Sequence, residues 1–250
     1  MARAESAGIE MLILSDHDSV SGFPEAAAAA QGRTLDLRCG VEINTRHGEN
    51  VHILGYGIRW QDEGLLAALS EFRERRQRRA RLILENLARL GIGLDFADLR
   101  GEGPGSVGRA HVAEALRRKG VVSNRAEAFR RFLAQGKPAY VESLGPSVEE
   151  AIALIREAGG FAVLAHPGTV ADLEILGRWV AAGLEGLEVY YLGHSPSATV
   201  RFQDLADRLG LIATGGSDYH GRGSGRAGPM GVEVSPEVHR CFLERLSRCG

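Results

Sequence analysis

Five short apolar runs along this chain end in, or enclose, ionisable side chains, and that repetition limits its folds more than any other feature. Met11-Leu12-Ile13-Leu14 runs at once into Ser15-Asp16-His17-Asp18. The other four are Gly40-Val41-Glu42, Val51-His52-Ile53-Leu54-Gly55-Tyr56, Val163-Leu164-Ala165-His166-Pro167 and Gly215-Gly216-Ser217-Asp218-Tyr219-His220-Gly221. Each apolar run has the length of a buried strand. In parallel α/β folds the ligand sites lie beyond the carboxyl ends of strands. One such polar cluster is an ordinary turn with a helix cap; five point to a shared rim.

The segments between these runs carry helical patterns. Residues 2–8 read as the tail of a helix stopped by Gly8, and helices are expected over 24–31, 148–158, 171–182, 197–209 and 236–248. Strands are expected over 11–15, 36–43, 51–58, 161–165, 186–191, 211–215 and 231–234. This alternation argues for parallel β/α units and a barrel-like sheet. The texture changes after Trp60. A long helix over 63–90 has Leu65, Leu66, Leu69, Phe72, Leu82, Leu84 and Leu87 on its apolar face, and helices follow over 109–119 and 124–135. The arginine run from Arg73 to Arg81 reads first as a solvated helix face, with a phosphate-facing patch as the competing reading. The glycine-rich turn Gly101–Gly108 lacks the Gly-Lys-Ser/Thr that closes a phosphate loop. Two domains are therefore expected: residues 1–61 with 143–250 as the α/β barrel, and residues 62–142 as a helical insertion.

Bulk composition removes several function classes. A chain of 250 residues, 44% hydrophobic and 25% charged, has the makeup of an ordinary soluble protein. Its net charge of −2 supplies no global basic field for nucleic acid, although arginine outnumbers the two lysines heavily. Three cysteines without a C-x-x-C pair fit reduced thiols. No apolar run approaches the roughly 18 residues of a membrane span. The cytoplasm is the expected address, with no membrane contact and no stable protein partner.

Four of the eight histidines, His17, His52, His166 and His220, lie beside the apolar runs, together with Glu42 and Asp218. Imidazoles and carboxylates converging on one rim make the composition of a metal site, suited to zinc, manganese or iron. A bridging carboxylate suits two or more ions sharing one water. His47, His111, His194 and His239 are read as surface residues.

Ser15-Asp16-His17-Asp18-Ser19-Val20-Ser21-Gly22 resembles the Thr-Asp-His-Asp-Thr-Val-x-Gly motif of the PHP (polymerase and histidinol phosphatase) phosphoesterases. The other four runs resemble its later motifs, in family order. Gly108-Arg109-Ala110-His111 and Gly136-Lys137-Pro138-Ala139-Tyr140-Val141 resemble the insertion of one branch, the 3′,5′-nucleoside bisphosphate phosphatases and 5′-to-3′ exoribonucleases. The resemblance implies a distorted (β/α)7-type barrel capped by the insertion, and hydrolysis of nucleoside bisphosphates or short RNA by a metal-bound hydroxide. It implies divalent ions, Mn2+ first, with Zn2+, Fe2+ or Mg2+ as alternatives. Glu42, His52 and His166 would share one ion, Glu42 bridging to a second with Asp218, and His17 with His220 would hold a third. Catalytic roles would fall to Glu42, His17 and Asp218, and substrate contacts to Arg109 and Lys137.

One family motif, Asp-Leu-His-x-His-Ser, is absent, because the chain begins in what would be the helix after it. The expectation is a barrel lacking its first strand through a truncated or misplaced start, with weak or absent turnover and at most one firmly held ion. Rival readings are a small-metabolite phosphatase of the histidinol phosphate type and a non-catalytic nucleotide- or partner-binding domain.

Overall fold

In the computed structural model, which describes residues 1–48, 50–99, 107–221 and 228–249, the apolar runs become strands. These are β1 (Met11–Leu14), β2 (Asp36–Asn44), β3 (His52–Tyr56), β4 (Phe161–Leu164), β5 (Leu184–Tyr191) and β6 (Ile212–Gly216). They form one six-stranded sheet in chain order. The helices are α1 (Ala2–Ser6), α2 (Phe23–Ala30), α3 (Glu63–Arg89), α4 (Arg109–Arg118), α5 (Arg125–Ala128), α6 (Val148–Glu157), α7 (Leu176–Ala181), α8 (Pro196–Leu209) and α9 (Pro236–Leu246).

The sheet departs from the parallel expectation at one strand. β1 with β2, β4 with β5 and β5 with β6 are parallel, but β3 runs antiparallel to both its neighbours. A parallel crossover needs about a dozen residues or more, and the loop 45–51 between β2 and β3 is shorter than that. The reversal serves the rim. His52 opens β3 directly opposite Asn44, which closes β2, so the start of β3 joins the ends of the other strands.

Residues 231–234 form no strand. Gly231 adopts φ +88°, which interrupts an extended backbone, and the segment only lays Val232 and Val234 over Gly215. The helix expected over 124–135 is α5 followed by a wider turn at Phe129–Leu133, and that over 171–182 begins only at Leu176 after a tight turn at Leu173–Ile175. Most of the Gly101–Gly108 turn lies outside the described residues. No helix among the described residues is long and apolar enough to cross a membrane.

Two main cores share α3. Leu65, Leu69 and Phe72 from its first half pack with Ile43, Ile53, Ile152, Trp179 and Phe202. Ala80, Ile83, Leu84 and Leu87 from its second half pack with Leu99, Val112, Leu116 and Leu133. Asp62 starts the helix, its carboxylate accepting from the Leu65 amide at 3.0 Å. Full burial of a leucine such as Leu87 contributes about 1.5–3 kcal/mol, so α3 is fixed at both ends and couples the two cores.

Beside the second core, Glu114 joins α4 to α5, accepting from Arg117 Nη2 at 2.6 Å and from Arg125 Nε at 3.0 Å. Those bonds, Arg117's first, hold its carboxyl down to about 2. A depressed folded-state pKa stabilises above the ordinary carboxylate range, and that stabilisation is lost as pH falls toward the folded value. Glu114→Gln should therefore lower the unfolding temperature at pH 7, at a cost of no more than about 1 kcal/mol for a partly exposed pair. The difference from wild type should shrink in thermal unfolding scans run at decreasing pH.

Candidate metal centre

Backbone pairing continues past the end of β1 and sets the first candidate ligands side by side. The Glu42 amide donates to the Asp16 carbonyl at 3.1 Å, and the Asp18 amide donates to the Glu42 carbonyl at 2.9 Å. His17 therefore bridges to Glu42. Asp18 takes a left-handed turn at φ +51° and is 1% exposed. Its carboxylate accepts from the Asn44 amide at 3.1 Å, Asn44 Nδ2 at 2.9 Å and Arg76 Nη1 at 3.1 Å.

Glu42 is the centre of the rim. Its Oε1 stands 2.7 Å from His52 Nδ1 and 3.3 Å from His166 Nε2, and those two nitrogens are 3.2 Å apart. Its Oε2 lies 3.4 Å from His17 Nδ1. Ligand atoms of His17, Glu42 and His52 all fall within 4.8 Å of one another. Burial alone would raise the Glu42 carboxyl, but the His17 and His52 imidazoles and hydrogen bonding to His166 and His52 hold it well below its ordinary range. Burial pushes His17 downward, against the pull of Glu42, and so favours a neutral imidazole with a lone pair. His166 is raised, because its hydrogen bond and attraction to Glu42 outweigh burial.

This donor set fits a divalent cation. Two imidazole nitrogens and a carboxylate oxygen converge on one small triangle, in which their lone pairs repel unless a proton or a cation lies between them.

Asp218 and His220 follow β6 on the same rim. Asp218 is left-handed at φ +49° and accepts from the Tyr191 hydroxyl at 3.4 Å. His220 Nδ1 donates to the Asp218 carbonyl at 2.7 Å. A carbonyl only accepts, so Nδ1 carries a proton, and Nε2 is the ring nitrogen left to face a ligand. The His220 and His17 rings are 5.7 Å apart.

The rim opens into a cavity of about 120 Å³ whose opposite wall comes from α3 and α4. Arg76, Arg79 and Arg109 line it together with His17, Asp18, His52 and Asn50. The arginine run is thus not uniformly solvated. Three residues apart on one helix face, Arg73 donates to the Asp18 carbonyl, Arg76 to the Asp18 carboxylate and Arg79 to the Val141 carbonyl. Arg78 and Arg81 face solvent. Arg109 Nη2 reaches Asn50 Oδ1 at 3.4 Å, and its guanidinium lies over Phe129. Lys137 is exposed and does not line the cavity. His111 caps the start of α4, its Nδ1 accepting from the Gly108 amide at 3.1 Å. His194 is half-buried between Tyr191 and Phe202, so neither of these two is a plain surface residue.

Glu188 is a buried group on this rim that motif reading missed. It is 4% exposed within β5, and its Oε2 accepts from the His166 amide at 2.7 Å. Burial pushes its carboxyl up to about 8. The strand expected over 186–191 holds Glu188 as its single carboxylate, a position that ordinarily reads as a solvated face.

No family model matches the chain, but individual relatives do. It is 39% identical over 253 residues to the 3′,5′-nucleoside bisphosphate phosphatase of Chromobacterium violaceum, across 98% of this chain and 88% of that protein. It is 35% identical over 228 residues to the 5′-3′ exoribonuclease Rnm of Escherichia coli, across 87% of this chain and 78% of that one. The solved structure of a protein from Bifidobacterium adolescentis, assigned as a metal-dependent phosphoesterase, superposes with a TM-score of 0.84 at 30% identity, covering 100% of this chain and 89% of that one. Sequence likeness over nearly the whole chain and a rim of imidazoles and carboxylates agree: the chain belongs to the PHP metal-dependent phosphoesterases and is a phosphoric ester hydrolase.

Proposed function

We propose that the chain removes a phosphate from 3′,5′-nucleoside bisphosphates and cleaves short RNA from its 5′ end. The observation that carries this reading is the cavity itself, with His17 and His52, both in contact with Glu42, on one wall and Arg76, Arg79 and Arg109 on the other. Arginine forks match phosphate oxygens two at a time, and a wall of them opposite a metal rim suits a substrate with more than one phosphate.

Glu42, His52 and His166 would hold one divalent cation, Mn2+ first, and His17, His220 and Asp218 lie where further ions would be held. A cation in such a site supplies Lewis acidity toward phosphoryl oxygens and lowers the pKa of water. The protein's own groups do the rest. Arg76 and Arg109 orient the phosphates, while Asp18 and Asn50 hold those two guanidinium groups in place. Glu42, kept ionised, and His17, kept neutral, are held in the forms that offer lone pairs to a cation beside the reacting phosphate. Residues 62–142 then act as a cap over the rim. We read the sheet as an incomplete seven-stranded barrel with β1 and β6 as its open edges, a reading supported by Arg3 reaching the Tyr219 hydroxyl between them.

Substrate preference tests this reading. Manganese-loaded protein should release phosphate from adenosine 3′,5′-bisphosphate faster than from histidinol phosphate; the reverse order would favour a small-metabolite phosphatase. Arg109→Ala removes one charge-assisted contact and should cost about 1.5–3 kcal/mol in kcat/KM for the bisphosphate. Unchanged kinetics would remove Arg109 from the phosphate site.

A further inference from the structure

We propose that Glu188 is a positioning residue for the metal centre, holding His166 in its ligating conformation through the His166 amide. The inference rests on the reading of Glu42, His52 and His166 as one ligand set.

His166 has φ +31° and ψ +62°, a left-handed conformation that side-chain-bearing residues rarely adopt. It also precedes Pro167, and a residue before proline is biased toward extended backbone. Nothing intrinsic to His166 therefore favours this turn. β4 ends at Leu164, and the last amide on this segment to pair with a neighbouring strand is that of Ala165, which donates to the His52 carbonyl at 3.1 Å. The His166 amide has turned away from the sheet into a buried setting, where an unpaired donor is costly. Glu188 Oε2 meets it at 2.7 Å.

The surroundings are shaped around that carboxyl. Gly216 on β6 faces it, and a Cβ there would stand 2.4 Å from Glu188 Oε1. The bare backbone of β6 thus leaves the space the carboxyl fills. From this anchor the His166 ring extends to Glu42 Oε1, with Nε2 at 3.3 Å, while Thr169 Oγ1 lies 3.3 Å from the other ring nitrogen. Glu188 sets the backbone, Thr169 the ring, and the ligand atom is presented to Glu42 and His52. Outer groups of this kind fix ligand orientation in metal sites, and losing one typically costs 10–100-fold in affinity.

Two variants separate an acceptor from a ligand. Glu188→Gln keeps an oxygen for the amide at the same volume, and Glu188→Met keeps the length without a comparable acceptor. Mn2+ would be titrated calorimetrically into chelator-stripped protein, with circular dichroism confirming the fold. The Gln variant should bind close to wild type, and the Met variant about 10–100-fold more weakly. A Met variant with wild-type affinity would overturn the proposal. So would a Gln variant as weak as the Met variant, since the charge and not the acceptor would then matter. Hydrogen exchange in the unmutated chain gives an answer even if the Met variant fails to fold: the His166 amide should exchange slowly, and rapid exchange would overturn the proposal. Wild-type protein that binds no Mn2+ while its His166 amide stays protected would count against the metal reading alone.

Discussion

Replacing Glu42 with glutamine is expected to remove tight divalent-metal binding and, with it, phosphoester hydrolysis. The substitution keeps volume and one carbonyl oxygen, so packing in the 6%-exposed site is preserved. What it removes is the negative charge within reach of His17, His52 and His166. An imidazole ligating a cation brings a lone pair but no charge, so Glu42 would be what neutralises a cation at the triangle it forms with His52 and His166. The loss in affinity should exceed the roughly 10–100-fold typical of an outer-shell partner. Metal content after gel filtration, measured beside phosphate release, checks both halves. A variant that keeps its ion and its rate would show that the centre lies elsewhere on the rim.

Arg76→Ala is expected to damage both stability and substrate use. Its guanidinium contacts Asp18 from the second half of α3, and the Asp18 carboxyl is almost wholly buried. Removing one partner of a buried ion pair costs about 3–5 kcal/mol. The lower end is expected, because Asn44 still donates to Asp18 twice. Burial, opposed by Arg76, already raises the Asp18 carboxyl, so a proton can replace part of what Arg76 supplies. The same substitution takes a cation from the cavity wall and should lower kcat/KM by about 10–100-fold. Denaturant unfolding and steady-state kinetics separate the two effects. Arg76→Lys should recover more stability than rate, since a point charge does not reproduce a fork. An alanine variant as stable and as fast as wild type would detach Arg76 from both roles.

The gathering of imidazoles and carboxylates on one rim was legible in the sequence because its residues sit at or near strand ends, where apolar runs give way to ionisable groups. Glu42, His52, His166, His17, Asp218 and His220 all lie on that rim. The orientation of β3 was misread because a strand looks alike in either direction; only the loop 45–51 carries the direction, through its length. The arginine run could not be divided between its two readings, a solvated face and a phosphate-facing patch, because charge content says nothing of phase. On a helix, residues three apart share a face, so Arg73, Arg76 and Arg79 turn to the cleft while Arg78 and Arg81 meet water. Glu188 escaped notice because a carboxylate in a strand suggests a solvated face, and its partner is a backbone amide with no signature in the sequence. The shared use of α3 by both cores was hidden for a related reason: its apolar stripe is continuous, and only packing shows where one partner replaces another.

The most direct test of the account is phosphate release from adenosine 3′,5′-bisphosphate by chelator-stripped chain to which Mn2+ is returned in steps. The account expects negligible release from stripped protein, release that rises with the ion bound, and none from Glu42→Gln at any Mn2+ level. Equal release before and after stripping, or release from Glu42→Gln equal to that of wild type, would contradict it.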